Sequence, residues 1–168
     1  ICDNSNSLGV VEAVNFNSPG QVVIAGRKDA VVHACELMKE AGAKRALVLP
    51  VSVPSHCSLM KDAAMDFKYS VDNINFQMGS EKVLHNVDAD CSNNIEEIKS
   101  KLVEQLYKPV LWTSIVHKMK DSGVEKIIET GPGKVLAGLT KRIDKSLSAS
   151  AIIDMTTLKS TIEEISNA

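Results

Sequence analysis

The order of apolar and polar residues along the chain predicts alternating strands and helices. Short runs rich in β-branched residues predict strands, and apolar residues that recur every three or four positions predict helices. The predicted strands cover 21–25, 45–53, 82–87, 126–129 and 150–153. The predicted helices cover 28–41, 58–71, 95–107, 112–120, 134–145 and 156–165. This alternation is typical of an α/β fold.

Turn residues support several of these bounds. The turn Asn17-Ser18-Pro19-Gly20 precedes the first predicted strand, and Gly42 stands where the first helix should end. The run from 45 to 53 is mostly apolar, so it is expected to be a buried strand that stops at Pro54. The first dozen residues are polar and irregular and predict no element.

Composition adds few constraints and excludes some partners. The chain has 168 residues, 44% hydrophobic and 24% charged, with a net charge of -2, which fits one sizeable or two small globular domains. The balanced charge gives no broad attraction to nucleic acid or to an anionic membrane, and neither is expected as a partner. No apolar run approaches the ~18 residues that span a bilayer. Because the chain starts at Ile1, we expect its natural N-terminus to lie upstream.

The cysteines indicate a reducing compartment and no metal. The four cysteines are far apart, and none has the spacing of a zinc site. We therefore expect free thiols, a cytoplasmic protein and no metal.

His56 is the strongest candidate for chemistry in the sequence. It follows the predicted strand that ends at Pro54, in the run Pro54-Ser55-His56-Cys57. Turns between a strand and a helix present side chains at the sheet edge where ligands bind in α/β proteins. Histidine suits a general base there, because its unperturbed pKa lies near neutrality. The alternative, that His56 only covers the start of the next helix, stays open on this pattern.

Other candidates are weaker. Cys57 is expected to be a buried structural thiol, because neighbours in sequence rarely form a Cys-His pair. The run 5–9 imitates a nucleophile elbow but lacks its first glycine and a preceding strand. The run 131–134 resembles a phosphate loop but lacks the full pattern, so a tight turn explains it better. Lys44 and Arg45 are either a phosphate site or a solvated strand end.

Four segments in one order carry a family resemblance. They are VNFNSPGQVVIAG at 14–26, LPVSVPSHCSLM at 49–60, EQLYKPV at 104–110 and ETGPGKVL at 129–136. Together they resemble the malonyl-CoA:acyl-carrier-protein transacylases of bacterial fatty-acid synthesis. The resemblance covers nearly the whole chain.

The resemblance implies an acyltransferase with a Ser-His dyad. In this family a serine attacks the malonyl thioester, CoA leaves, and the pantetheine thiol of acyl carrier protein takes the malonyl group. The resemblance implies that His56 is the base and that the backbone carbonyl of Gln105 orients it. It implies malonyl-CoA and acyl carrier protein as partners and no cofactor. Positions on the CoA side of the family's cleft match Asn15, Asn17, Gln21, Lys44 and Arg45.

The departures from the family pattern concern its earlier motifs. The G-H-S-L-G elbow, the arginine that pairs with the malonyl carboxylate and the oxyanion segment have no match here. We therefore expect a C-terminal portion, inactive alone, with part of a ferredoxin-like subdomain at 1–55 and part of an α/β-hydrolase-like domain at 56–168. A non-catalytic module that binds CoA or carrier protein, or an acyltransferase with another acyl selectivity, remains an alternative.

Overall fold

The computed structural model describes residues 1–2 and 8–167. The run 5–9, which imitates a nucleophile elbow, falls mostly on residues 5–7, and these lie outside the described residues. The chain divides into two compact units, Ile1–Asn17 with Gln21–Trp112, and Ser18–Gly20 with Thr113–Ala168. Strands and helices occur in both, which confirms the α/β class. The division at residue 55 stays a prediction.

The first unit begins with two strands and a helix. Strand β1, Val11–Ser18, and strand β2, Gln21–Gly26, form a two-stranded sheet. Gly20 in the connecting turn has a φ of 75°, which favours glycine. Helix α1, Lys28–Glu40, follows. Its buried residues Ala30 and Ala34 pack with Val11 of β1 in a small core.

The rest of this unit is a pair of helices around a second core. A 3-10 helix, Ser58–Met60, runs into helix α2, Lys61–Asp72, and helix α3 covers Ile95–Glu104. Asn94 caps α3, since its side chain accepts a 2.9 Å hydrogen bond from the Glu97 N–H. The buried residues of this second core are Ala64 and Val71 of α2 and Val103 of α3.

A short ladder joins β1 to the segment after α3. The Phe16 N–H donates to the Val110 carbonyl at 2.9 Å, and the Val110 N–H donates to the Val14 carbonyl at 2.9 Å. Asn15 and Val110 thus form a parallel bridge. The strand is anchored by Val11 and Val14, which are almost fully buried. The chain after α3 is therefore held against β1.

The second unit contains a two-stranded parallel sheet and three helices. Helix α4 covers Trp112–Asp121, strand β3 Lys126–Thr130, helix α5 Val135–Ile143, strand β4 Ser148–Ile152 and helix α6 Met155–Ser166. Strands β3 and β4 pair in parallel, with Ile128 opposite Ser150. Asp154 and Thr157 form a capping box at the start of α6.

Every predicted helix is present, with its ends within about one turn of the predicted bounds. The predicted strands at 21–25, 126–129 and 150–153 are confirmed with shifted ends.

Two predicted strands are wrong. The run 45–53 has no regular structure, and Leu47 and Val51 are 64% and 72% exposed rather than buried. No strand pairs with it in the described part of the chain, and a strand exists only with a hydrogen-bonding neighbour. The predicted strand at 82–87 is reduced to one antiparallel bridge between Leu84 and Cys91.

Strand β1 escaped prediction because its buried positions do not alternate. Val11 and Val14 are the buried apolar residues and lie three positions apart. A strand pattern with a period of two residues is therefore not visible in this segment.

Candidate acid–base site

His56 lies in the irregular segment that precedes the 3-10 helix. Its φ is 65°, in the left-handed region that non-glycine residues seldom occupy, although histidine is enriched there. Its backbone N–H donates to the Leu106 carbonyl at 2.9 Å, and the Cys57 N–H donates to the Pro54 carbonyl at 3.2 Å. Such a conformation persists only where its surroundings support it.

The imidazole of His56 is fixed by a main-chain acceptor. Its Nδ1 lies 2.5 Å from the carbonyl oxygen of Gln105. A carbonyl can only accept, so Nδ1 must carry the proton. In the neutral ring Nε2 is then unprotonated and can take a proton from a neighbouring group. The side chain is half-buried, so the ring is held in place and still reachable.

Gln105 presents its carbonyl because a helix ends there. It is the C-terminal cap of α3, with φ -62° and ψ -16°, and its N–H donates to the Lys101 carbonyl at 3.0 Å. The last carbonyls of a helix have no partner within the helix. At this end, the carbonyls of Gln105 and Leu106 bind the ring and the backbone of His56. The end of α3 therefore holds His56 at two points.

A carboxylate that the sequence did not single out also holds this segment. Glu12 on β1 accepts from the Ser58 N–H at 2.8 Å and from the Ser58 hydroxyl at 2.6 Å. Burial alone would raise the pKa of Glu12, but the two hydrogen bonds from Ser58 outweigh it, with smaller help from Cys57 and Lys61. The net effect is a pKa below the ordinary value, so Glu12 is charged at neutral pH. A lone Glu in a polar stretch carries no motif, so only the fold reveals this contact.

Cys57 is not a nucleophile in this arrangement. Its side chain is fully buried, as predicted. Burial raises the pKa of the thiol, and the nearby Glu12 carboxylate adds to that rise. Since the thiolate is the reactive form, Cys57 remains an inert thiol at neutral pH.

The other predicted site residues are spread over the first unit. Asn15 lies on β1 at the bridge to Val110, and Asn17 lies two residues further along the strand. Gln21 is exposed at the start of β2. Lys44 and Arg45 are exposed in the segment that follows α1. The structure therefore joins His56 and Gln105 directly, and the binding role of the remaining five stays a prediction.

Neither a metal-binding cluster nor a membrane-spanning helix occurs among the described residues. Among residues 1–2 and 8–167, no group of three or more His, Cys, Asp or Glu side chains could hold a metal ion. None of the helices described is long and apolar enough to cross a membrane.

The fold and the site define an α/β protein with a histidine that is placed for acid–base chemistry. Its half-buried histidine is fixed through Nδ1 by a main-chain carbonyl at a helix end, and Nε2 is left to exchange a proton. Such an imidazole needs a partner whose hydroxyl or thiol proton it can take. Among the described residues, no serine or threonine hydroxyl forms a hydrogen bond with His56.

Comparison with known proteins places the chain more narrowly. No protein-family profile matches it. It is 51% identical over 162 residues to the malonyl CoA-acyl carrier protein transacylase of Escherichia coli K12, which covers 96% of this chain and 52% of that protein. It is 54% identical over 154 residues to the same enzyme of Haemophilus influenzae, over 92% of this chain and 49% of that one.

Solved structures agree with these relatives. The acyl carrier protein S-malonyltransferase of Vibrio cholerae matches with a TM-score of 0.92 and 53% identity, over 95% of this chain and 52% of that chain. A malonyl-transacylase in complex with its type II PKS acyl-carrier protein matches with a TM-score of 0.95 and 48% identity, over 97% and 53%. The chain is thus a homologue of the malonyl CoA-acyl carrier protein transacylases, and the predicted resemblance is confirmed. It spans about half the length of the relatives it matches.

Proposed function

We propose that the complete protein transfers a malonyl group from CoA to the pantetheine thiol of acyl carrier protein. The observation that carries this proposal is the contact of His56 Nδ1 with the Gln105 carbonyl, which leaves Nε2 as a proton acceptor. The nucleophile is a serine supplied by the part of the relatives' length that this chain does not span. The identity to known transacylases supports the substrate pair.

The proposed chemistry uses His56 twice in each half-reaction. Nε2 takes the serine proton while the serine oxygen attacks the malonyl thioester carbon. The tetrahedral intermediate collapses, the C–S bond breaks, and the imidazolium protonates the departing CoA thiolate. The thiol of acyl carrier protein then loses its proton to Nε2, and its sulfur attacks the carbonyl carbon of the acyl-serine. This second tetrahedral intermediate collapses, the ester C–O bond to serine breaks, and the imidazolium returns the proton to the serine oxygen. The Gln105 carbonyl stabilises the imidazolium in both stages through the Nδ1–H bond.

The proposed CoA side consists of the five polar residues predicted from the sequence. They are Asn15, Asn17, Gln21, Lys44 and Arg45. Lys44 and Arg45 are exposed cations, and Arg in particular suits bidentate binding of a phosphate. In this proposal they attract the phosphates of CoA, and the amides bind the pantetheine or ribose part.

The proposal also divides the complete enzyme into a small subdomain and a larger domain. Residues 1–55 contribute to a small ferredoxin-like subdomain, and residues 56–168 contribute to a larger α/β-hydrolase-like domain. The composition of 45–53, which is that of a strand, supports a sheet in the small subdomain that is completed by other parts of the protein. No cofactor enters the chemistry. A cytoplasmic location is supported by Cys35, Cys57 and Cys91, which remain free thiols.

The experiment is a transfer assay on the full-length protein. His56→Ala should lower malonyl transfer from CoA to acyl carrier protein by about 10² to 10⁴, the usual share of a general base. His117→Ala is the matched control, because His117 is exposed on α4, and it should keep normal turnover. Near-normal turnover of His56→Ala would refute the proposal. Binding of malonyl-CoA without any transfer by the unmodified protein would favour the non-catalytic module instead.

A further inference from the structure

We propose that Glu12 is a positioning residue that keeps the His56 imidazole on the Gln105 carbonyl. The inference rests on the proposed function, since positioning matters only if His56 transfers protons. Glu12 itself touches no reacting atom in this proposal and acts through Ser58.

The contact between Glu12 and Ser58 uses both carboxylate oxygens. Oε2 accepts from the Ser58 N–H at 2.8 Å, and Oε1 accepts from the Ser58 hydroxyl at 2.6 Å. Ser58 stands two residues after His56 and opens the 3-10 helix. The N-terminal cap residue of that helix, Cys57, makes no side-chain capping bond. Glu12 on β1 therefore supplies the hydrogen-bond acceptor that the side chain of an N-cap residue usually provides.

Strand β1, which carries Glu12, also binds the segment that follows Gln105, the acceptor of the His56 ring. Val14 and Phe16 of β1 bind Val110 through two backbone hydrogen bonds of 2.9 Å. Val110 lies five residues after Gln105, so β1 is tied to both chain segments that meet at the imidazole. Val11 and Val14 are almost fully buried and prevent the strand from shifting. In this arrangement β1 sets the separation between His56 and its acceptor.

His56 needs this support because of its backbone. Its φ of 65° lies in the left-handed region, which is unfavourable for a residue with a side chain. Three contacts oppose relaxation: the Leu106 carbonyl to the backbone, the Gln105 carbonyl to the ring, and Glu12 to Ser58. The Glu12 contact is ionic at one end, which makes such bonds stronger than neutral ones. Its removal leaves the segment free on the side that faces β1.

The test is a set of variants in the full-length protein, assayed for malonyl transfer. Glu12→Ala should lower kcat about tenfold and leave KM for malonyl-CoA within about twofold, because a small misplacement of a catalytic group reduces turnover rather than binding. Ser58→Ala removes the hydroxyl but keeps the N–H bond to Glu12, so a loss of about threefold is expected. The double variant should be no slower than Glu12→Ala, since that change already removes both bonds. Glu40→Ala is the control, because Glu40 is exposed at the end of α1.

Separate measurements distinguish positioning from mere stability. We expect Glu12→Ala to shift the acidic limb of the kcat/KM pH profile and to raise the share of His56 imidazole protonated on Nε2, as seen by ¹⁵N NMR. Glu12→Asp, which keeps the charge, should recover part of the lost kcat if the residue positions His56. A lower melting temperature with unchanged kcat and unchanged His56 tautomer would overturn the inference.

The variant His56→Ala separates this inference from the proposed function. If His56→Ala keeps normal turnover, the proposed function fails whatever Glu12 does. If His56→Ala is inactive and Glu12→Ala is as fast as the unmodified protein, only the role of Glu12 is refuted. Should Glu12→Ala fail to fold, Ser58→Ala decides the question, and a normal kcat in that variant would refute the role.

Discussion

The group that orients the His56 ring is a backbone atom, the carbonyl oxygen of Gln105. Replacing the Gln105 side chain should therefore matter little. Its φ of -62° and ψ of -16° are ordinary helical values that alanine adopts without strain. Gln105→Ala leaves the carbonyl at its 2.5 Å distance from Nδ1. We expect its kcat for malonyl transfer to stay within about threefold of the unmodified protein.

Gln105→Pro is the matched perturbation that moves the carbonyl. Proline fits the φ of this position but has no N–H, so the 3.0 Å bond to the Lys101 carbonyl is lost. Its ring also disfavours the helical conformation of Glu104, the last residue of α3. A bond between a charged imidazolium and a carbonyl contributes about 1.5–3 kcal/mol. Its loss corresponds to a fall in kcat of about tenfold to a hundredfold.

The assay is steady-state transfer by the full-length variants, with thermal melts as a check on folding. We expect the unmodified protein to have the highest kcat, Gln105→Ala to be slightly slower and Gln105→Pro to be much slower. Equal losses in both variants would show that the Gln105 side chain, and not its carbonyl, orients His56. A folded Gln105→Pro variant with normal kcat would show that the contact has no catalytic role.

Three further predictions concern other parts of the chain. Replacing Lys44 and Arg45 together by Ala should raise KM for malonyl-CoA about fivefold, since exposed ion pairs contribute up to about 1 kcal/mol each, with kcat unchanged; an effect no larger than that of the exposed control Lys159→Ala would contradict this. Burial and then the nearby Lys101 lower the pKa of His85, against an opposing effect of Asp88. The unfolded state therefore takes up protons first, and stability should fall as the pH drops below about 6.5. Urea unfolding at pH 7.5 and 5.5 should show a smaller loss for His85→Asn, and an equal loss would contradict the assignment. The exposed apolar run 45–53 should make this chain self-associate in light scattering, whereas a soluble monomer with a sharp cooperative melt would contradict that expectation.

Helices were the part of the fold that the sequence predicted well. Their apolar periodicity is local, and caps such as Asp154 mark where they begin. Strands were predicted less well, because an apolar run records only the preference for a strand. Whether a run such as 45–53 pairs depends on a neighbour that its own residues do not specify. The missed strand β1 shows the opposite case, where pairing occurs without an alternating pattern.

The site shows the same limit. His56 and Gln105 are 49 positions apart, and the resemblance to a known family suggested the pair where spacing alone could not. The resemblance gave no reason to single out Glu12. Its importance arises from a contact with Ser58 across 46 positions, and such a contact depends on how β1 packs. Side chains that act through tertiary contacts leave no local signal in a single sequence.

The tautomer of His56 is the most direct test of the central claim. ¹⁵N NMR of the ring nitrogens, assigned by comparison with His56→Ala, distinguishes a protonated Nδ1 from a protonated Nε2 in the neutral imidazole. The contact with the Gln105 carbonyl predicts a ring protonated on Nδ1, with Nε2 free to accept a proton. A neutral ring protonated mainly on Nε2 would contradict the proposed orientation and with it the role of His56 as the base.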